Sequence, residues 1–298
     1  MAAVSKVIIF PIKSLPGVEV DQCEFTQAGS LKGDREFAFQ TQDGKVVNAK
    51  KYDKIHTIDA KYDLAARTVT LWSSDKSKTT FHLDEQREEL CAWISNHLGI
   101  PGIKIKQDAE KGLPDDPDSP GPTLVSQATL IAAGKYFDPP LGLEEMRRRI
   151  RANIEIDGPD VPAYTEDKFY GEEGVGRIVT LGEAELIVTG PCQRCIVPTR
   201  DSQTGIPTAP MKLFAAQFSD GRRASLPEDV VASRFDKNAY RLTVNGLGPQ
   251  GGTLHVGDSV EVGPEVELRD FKGKTSTLLK GPPVAPSELK LGLVQTKS

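Results

Sequence analysis

The sequence predicts a mainly β fold of the α+β type, built in two parts. Three observations point to it. Turn formers are abundant, with 27 Gly and 21 Pro among 298 residues, a composition that favours many short strands over long helices. The first 83 residues hold a succession of runs with strand composition or alternation, separated by turns such as Asp43-Gly44 and Ser73-Ser74-Asp75. A Pro- and Asp-rich stretch, GLPDDPDSPGPT at 112–123, then divides the chain.

The elements follow in order. VIIF (7–10), VEVDQCEF (18–25), REFAFQ (35–40), TVTLW (68–72) and TTFHL (79–83) read as strands. DEQREELCAWISNHLG reads as a helix, with Asp84 as its N-cap and Gly99 as its stop. Leu90, Cys91, Ile94 and Leu98 share one face beside Trp93, which makes Cys91 a core thiol. Beyond the divider, SQATLIAAGKYF (126–137) is a short helix capped by Ser126. MRRRIRANIEIDG (146–158) packs four arginines into six residues before an apparent strand, and Arg147, Arg148 and Arg149 read as a solvated or pocket-rim charge cluster. IVTLGEAELIVTG (178–190) is a hairpin pattern. APMKLFAAQF and LPEDVVASRF suggest short helices, and AYRLTVNG and LHVGDSVEVG closing strands. The organisation expected is one domain over 1–111, a second over 112–265 and a tail over 266–298 that is Lys-, Pro- and Ser-bearing from Gly273 onward.

Charge and hydropathy exclude some functions. A net charge of −5 argues against a nucleic-acid polymer as partner, though not against a local basic pocket. No apolar run approaches a membrane span. The opening MAAVSKVIIFPIKS has no cleavage site and reads as a first strand, so a soluble, cytoplasmic protein is expected. No Gly-rich dinucleotide fingerprint follows a strand.

Four cysteines, Cys23, Cys91, Cys192 and Cys195, are too few for a disulfide scaffold in this length. Two of them share one loop, GPCQRCIVPTRDSQTG. Structural zinc needs two further ligands, but there is no second CxxC and the four histidines are scattered singly. A thioredoxin-like dithiol should open a helix after a strand, whereas Pro198 follows three residues on. One thiolate serving as a soft ligand to a metal cofactor fits better, with Arg194 beside Cys195 favouring the thiolate. Asp201 reads first as the holder of a tight turn with Thr204 and Gly205, and second as a proton donor or acceptor.

Seven segments, in order, resemble the MOSC family, named for the C-terminus of molybdenum-cofactor sulfurase. They are IFPIKSLPGVEV, KGDREFAF, VVNAKKYDKI, LVSQATL, IRANIEIDG, CQRCIVPTRDSQTG and LHVGDSVEV, and they span about residues 5–265. The likeness is to the two-part subgroup that includes the mitochondrial amidoxime-reducing component and its bacterial relatives. It implies an N-terminal β-barrel-like domain with the Asp84–Gly99 helix packed on it, followed by a β-rich MOSC barrel with a few short helices. A cofactor cleft would lie between them.

By the same resemblance the cofactor is molybdenum-molybdopterin, and Cys195 supplies a protein sulfur to the metal. Lys13, Ser14, Arg35, Ser126, Arg151 and Asn153 are implied cofactor contacts, joined by Arg194 beside the metal-binding thiol, with Asp201 as a candidate proton carrier. Arginine suits a phosphate because its planar fork binds two oxygens. The implied reaction reduces a small N-hydroxylated compound: N–OH with two electrons and two protons gives N–H and water. The electrons would come from a partner protein of the flavin-reductase or cytochrome b5 type. A rival reading is a sulfur carrier holding a persulfide on Cys195 for metal-sulfur cluster assembly. A third is a disulfide switch that uses both loop thiols. The sequence departs from the family pattern at Asn48 and Lys50, where Thr and Arg are usual, at Pro198 in place of Thr, and at Arg200 in place of an apolar residue.

Overall fold

Alternation and turn chemistry dictate the first elements. A computed structural model of the chain describes residues 1–74, 76–115 and 120–268. In strand β1 (Ala3–Ile9), Val4, Val7 and Ile9 turn inward. VEVDQCEF breaks at Asp21 into β2 (Val18–Val20) and β3 (Gln22–Glu24). Then come β4 (Phe37–Gln40), β5 (Asp59–Asp63), β6 (Thr68–Ser73) and β7 (Lys76–His82). Helix α1 (Arg87–Leu98) ends at Gly99 in the left-handed region, as expected of a glycine stop. It starts two residues later than expected, with Gln86 in the N-cap position. Asp84 is not its cap, because its carboxylate is committed to Arg67 and Arg87. β8 (Lys104–Gln107) completes this part.

The second part runs β9 (Thr123–Ser126), α2 (Gln127–Gly134), α3 (Leu143–Ile150), β10 (Ile154–Asp157), β11 (Val175–Leu181) and β12 (Ala184–Gln193). It ends with α4 (Met211–Ala224), α5 (Ser233–Asp236), β13 (Arg241–Leu247), β14 (Thr253–His255) and β15 (Val260–Glu267). The arginine-rich run is therefore the last turn of α3, where cations favour the helix C-terminus. Residues 269–298, most of the expected tail, lie outside the described residues.

The fold is mainly β, as expected. Eight strands form one sheet in the order β15-β11-β12-β13-β9-β10-β1-β2. The start of β15 also reaches the start of β1 through an Ala3–Ser259 bridge and a 2.8 Å bond from Val4 N to Asp258 O. The first two strands thus belong to the sheet that the second part builds. Three smaller sheets are β5-β6-β7, β4-β8 and β3-β14. One core lies under the large sheet around Val7, Ile154, Leu186 and Val244. A second, around Phe37, Phe39, Leu71 and Ile94, packs α1 onto the N-terminal strands. A third joins α2, α3 and α4 through Leu130, Met146, Phe214 and Phe218. Among the described residues no helix is long and apolar enough to cross a membrane.

Register positions the site. Val7, Ile154, Leu124, Val244 and Pro191 stand side by side across five strands. The segments leaving that row are Phe10–Ser14 after β1, Arg151–Asn153 before β10, and the end of β12.

Candidate functional site

Those segments line one cavity of about 710 Å³. The chain carries a net charge of −5, yet ten Lys and Arg side chains against four Asp and Glu line this cavity. Such a concentration of cations in a concave site selects anionic ligands.

Lys13, Ser14, Arg35, Arg151, Asn153, Arg194 and Cys195 are brought together there. Ser14, Arg35 and Arg151 have φ of 73°, 50° and 55°, so three of the six non-glycine residues with positive φ among the described residues line the cavity. Each such residue costs on the order of 1 kcal/mol and persists only where its surroundings enforce it. Arg151 takes the left-handed position that ends α3, which aims its side chain inward. Its guanidinium stacks 4.1 Å from the centre of the Phe10 ring, and Arg35 lies 5.1 Å from the same ring. Arg151 donates to Leu15 O at 2.8 Å. Burial, with Arg35 nearby, pushes Arg151 down to about 10, so it stays charged at neutral pH. Arg35 pairs with Asp34 and approaches Asn153 Oδ1 at 3.5 Å.

Asn153 is 1% exposed and works as a brace. Its Nδ2 donates to Ile8 O at 3.1 Å, and its Oδ1 accepts from Thr123 N at 3.2 Å. Ser14 Oγ accepts from Ala49 N at 3.2 Å. Lys13 is buried and donates to Leu113 O, Pro114 O and Asp115 at 2.8–2.9 Å.

Cys195 is half-buried on the cavity wall just beyond β12, and all four cysteines are free thiols. The expected action of Arg194 on Cys195 is corrected. Arg194 Nη1 donates to Cys192 Sγ at 3.3 Å and Nη2 to Ile150 O at 2.6 Å. The chain is still extended at Gln193, and in extended chain residues two apart share a side.

Two expected residues are not brought to the cavity. Ser126 is fully buried and its hydroxyl caps α2, accepting from Thr129 N at 3.1 Å. Asp201 is absent from the wall. Its Oδ1 accepts from Gln203 N and from Thr204 N and Oγ1, at 2.8–3.1 Å, which is the turn role. Of the two readings of the arginine cluster, the pocket-rim one holds, since Arg147, Arg148 and Arg149 all line the cavity. Only Arg148 is well exposed, whereas Arg147 pairs with buried Glu155 and Arg149 with Glu145. Glu145 in turn accepts from Ser202 N at 3.0 Å and Arg149 donates to Pro198 O at 3.2 Å, so α3 clamps the cysteine loop.

Sequence reasoning missed Phe10, His56, Asp115 and Arg241 as wall residues, and none carries a local signal. Burial pushes the His56 imidazole below its usual range, keeping it neutral. His56 Nε2, Arg194 Nε and Arg200 Nε are buried without a hydrogen-bond partner among the described residues. Arg151, Arg194 and Arg241 have no carboxylate partner among the described residues and are held by backbone carbonyls instead.

Comparison with known proteins matches residues 1–109 to the MOSC N-terminal beta barrel domain and residues 135–267 to the MOSC domain. A molybdenum cofactor sulfurase of Drosophila grimshawi is 25% identical over 66% of this chain and 28% of the relative. Molybdenum cofactor sulfurase 3 of Aedes aegypti is 25% identical over 73% of the chain and 32% of the relative. A molybdenum cofactor sulfurase of Drosophila persimilis is 30% identical over 52% of the chain and 19% of the relative. The chain spans less than a third of the length of these relatives.

Proposed function

The chain belongs to the MOSC-domain proteins, and from that premise we propose that it is a molybdenum-cofactor oxidoreductase that reduces small N-hydroxylated compounds. One observation carries the reading. A half-buried thiol, Cys195, shares a cavity with three arginines that lack carboxylate partners among the described residues. A thiol suits a soft metal, and the cations suit a phosphate-bearing group.

The donor set fits this cofactor. Buried polar atoms of His56, Arg194 and Arg200 lack protein partners among the described residues, and an anionic, polar group would satisfy them. Among the described residues no three His, Cys, Asp or Glu side chains converge to hold a metal ion. A metal beside Cys195 would therefore draw its remaining ligands from a cofactor. When bound, a molybdenum cofactor supplies two-electron oxygen-transfer chemistry. Arg35 and Arg151 would hold its phosphate, Cys195 would give a thiolate to the metal, and neutral His56 would offer Nε2 to a proton. The overall change is N–OH plus two electrons and two protons to N–H and water. A partner of the flavin-reductase or cytochrome b5 type would supply the electrons.

The test uses the full chain made in a host that synthesises molybdopterin, as wild type, Cys195→Ala and Cys192→Ala. Metal is measured by mass spectrometry and pterin by fluorescence after oxidation. The expected result is molybdenum near one per chain in wild type and Cys192→Ala, with the metal or the reduction of N-hydroxy compounds lost in Cys195→Ala. Wild type with neither molybdenum nor pterin would sink the proposal and turn attention to the rival reading, a persulfide on Cys195.

A further inference from the structure

An ammonium group has three protons to donate. Lys13 spends all three on one short strap, on Leu113 O at 2.9 Å, Pro114 O at 2.8 Å and Asp115 Oδ1 at 2.8 Å. The Lys13 side chain is only 11% exposed. Asp115 uses its second oxygen on Lys50, whose Nζ is 2.9 Å away. One carboxylate therefore bridges two cavity-wall cations from different turns.

The root of the strap is fixed. Leu113 N donates to Arg35 O at 2.8 Å and Gly112 N to Asp108 O at 3.1 Å. Gly112 has φ +67°, and a Cβ there would lie 2.5 Å from Asp34 O. The Asp115 side chain is different, being 52% exposed. It can exchange its lysines for water while the root stays in place, and a second anion at the same two lysines would restore the charge balance that it leaves.

We propose that Asp115 is an internal competitor for an anion site formed by Lys13 and Lys50, so that this carboxylate must let go before the two ammonium groups can engage one ligand of the cavity together. The ligand chemistry is a phosphate or a carboxylate, which would come from the cofactor or from the substrate. The inference rests on the reading that this cavity takes an anionic cofactor and adds regulation of access to it.

The test needs no molybdenum, so it stands or fails apart from the metal assay. Inorganic phosphate and, separately, acetate are titrated by calorimetry into the full chain made in a host unable to synthesise molybdopterin. Asp115→Asn is expected to bind phosphate about tenfold more tightly than wild type. Asp115→Glu should stay close to wild type, and adding Lys50→Gln to Asp115→Asn should remove the gain. A gain for phosphate alone assigns the site to a phosphoryl group, and a gain for acetate as well assigns it to carboxylates too. Asp115→Ser serves the same comparison if the Asn variant misfolds. Equal or weaker phosphate binding by a folded Asp115 variant overturns the proposal, because the carboxylate would then be organising the lysines rather than competing for them.

Discussion

The guanidinium of Arg194 lies 3.3 Å from the sulfur of Cys192, and its other arm is tied to Ile150 O. The cation of the CxxC loop thus serves the first thiol, while the second, Cys195, faces the cavity without it. The two cysteines of one motif stand in different environments, and both differ from the remaining pair.

That difference predicts a labelling pattern. Burial pushes the Cys23 thiol up to about 12 and the Cys91 thiol up to about 11, so neither holds appreciable thiolate at pH 7.5. Native protein treated with iodoacetamide should be modified at Cys192 and Cys195 and spared at Cys23 and Cys91. Peptide mass spectrometry reads the result, and early modification of Cys91 would contradict the core placement.

A pH dependence follows from Glu166. It is 1% exposed and accepts from Thr129 Oγ1 at 3.0 Å. Its neighbour Asp167 takes Arg222 at 2.5 Å and the Tyr170 hydroxyl at 3.3 Å. Burial, then repulsion from Asp167, pushes the Glu166 carboxyl up to about 7. An acid whose folded value is raised binds its proton more tightly when folded. Its stabilisation is complete below the unfolded value near 4.5 and is lost as pH rises toward 7. The loss is at most about 3 kcal/mol. Glu166→Gln should flatten the fall in melting temperature between pH 5 and 7.5.

Gly205 packs the cysteine loop closely against the N-terminal part. Its φ is +72°, and a Cβ would sit 2.4 Å from Asp53 O. Gly205→Ala should cost about 1–3 kcal/mol by combining backbone strain with a steric clash. Denaturant unfolding measures the cost. Under the proposed function the same variant should also retain less molybdenum, because Gly205 lies in the loop that carries Cys195.

Asn153 joins three segments through one amide, bonding Ile8 O, Thr123 and the approach to Arg35. Asn153→Ala should lower stability by about 2 kcal/mol, since it leaves buried partners unsatisfied. Asn153→Asp should be no better, because the lost Nδ2 donor faces a carbonyl. Urea midpoints at constant m-value would show both, and a neutral Asn153→Ala would remove the brace role.

Much of the fold was legible because local rules agreed with it. Gly99 ends its helix, Ser126 caps the next and IVTLGEAELIVTG is the β11–β12 hairpin. Asp84 misled because a capping residue and an ion-pair partner look the same in sequence. The charged Arg67 that claims it lies 17 residues away. β5 and β8 were missed because Asp59–Asp63 and Lys104–Gln107 are largely polar and gain their order from pairing with β6 and β4.

By itself, the sequence determined the mainly β character, the helix stops and the pair of thiols in one loop, all set by neighbours within a few residues. Tertiary structure alone decided which charges share a cavity. Phe10, Arg35 and Arg151 meet across 141 positions of chain because strand register joins β1 to β10. Lys13, Lys50 and Asp115 meet because the strap returns to the first turn. Electrostatics depends on distance in space, and a sequence records only distance along the chain.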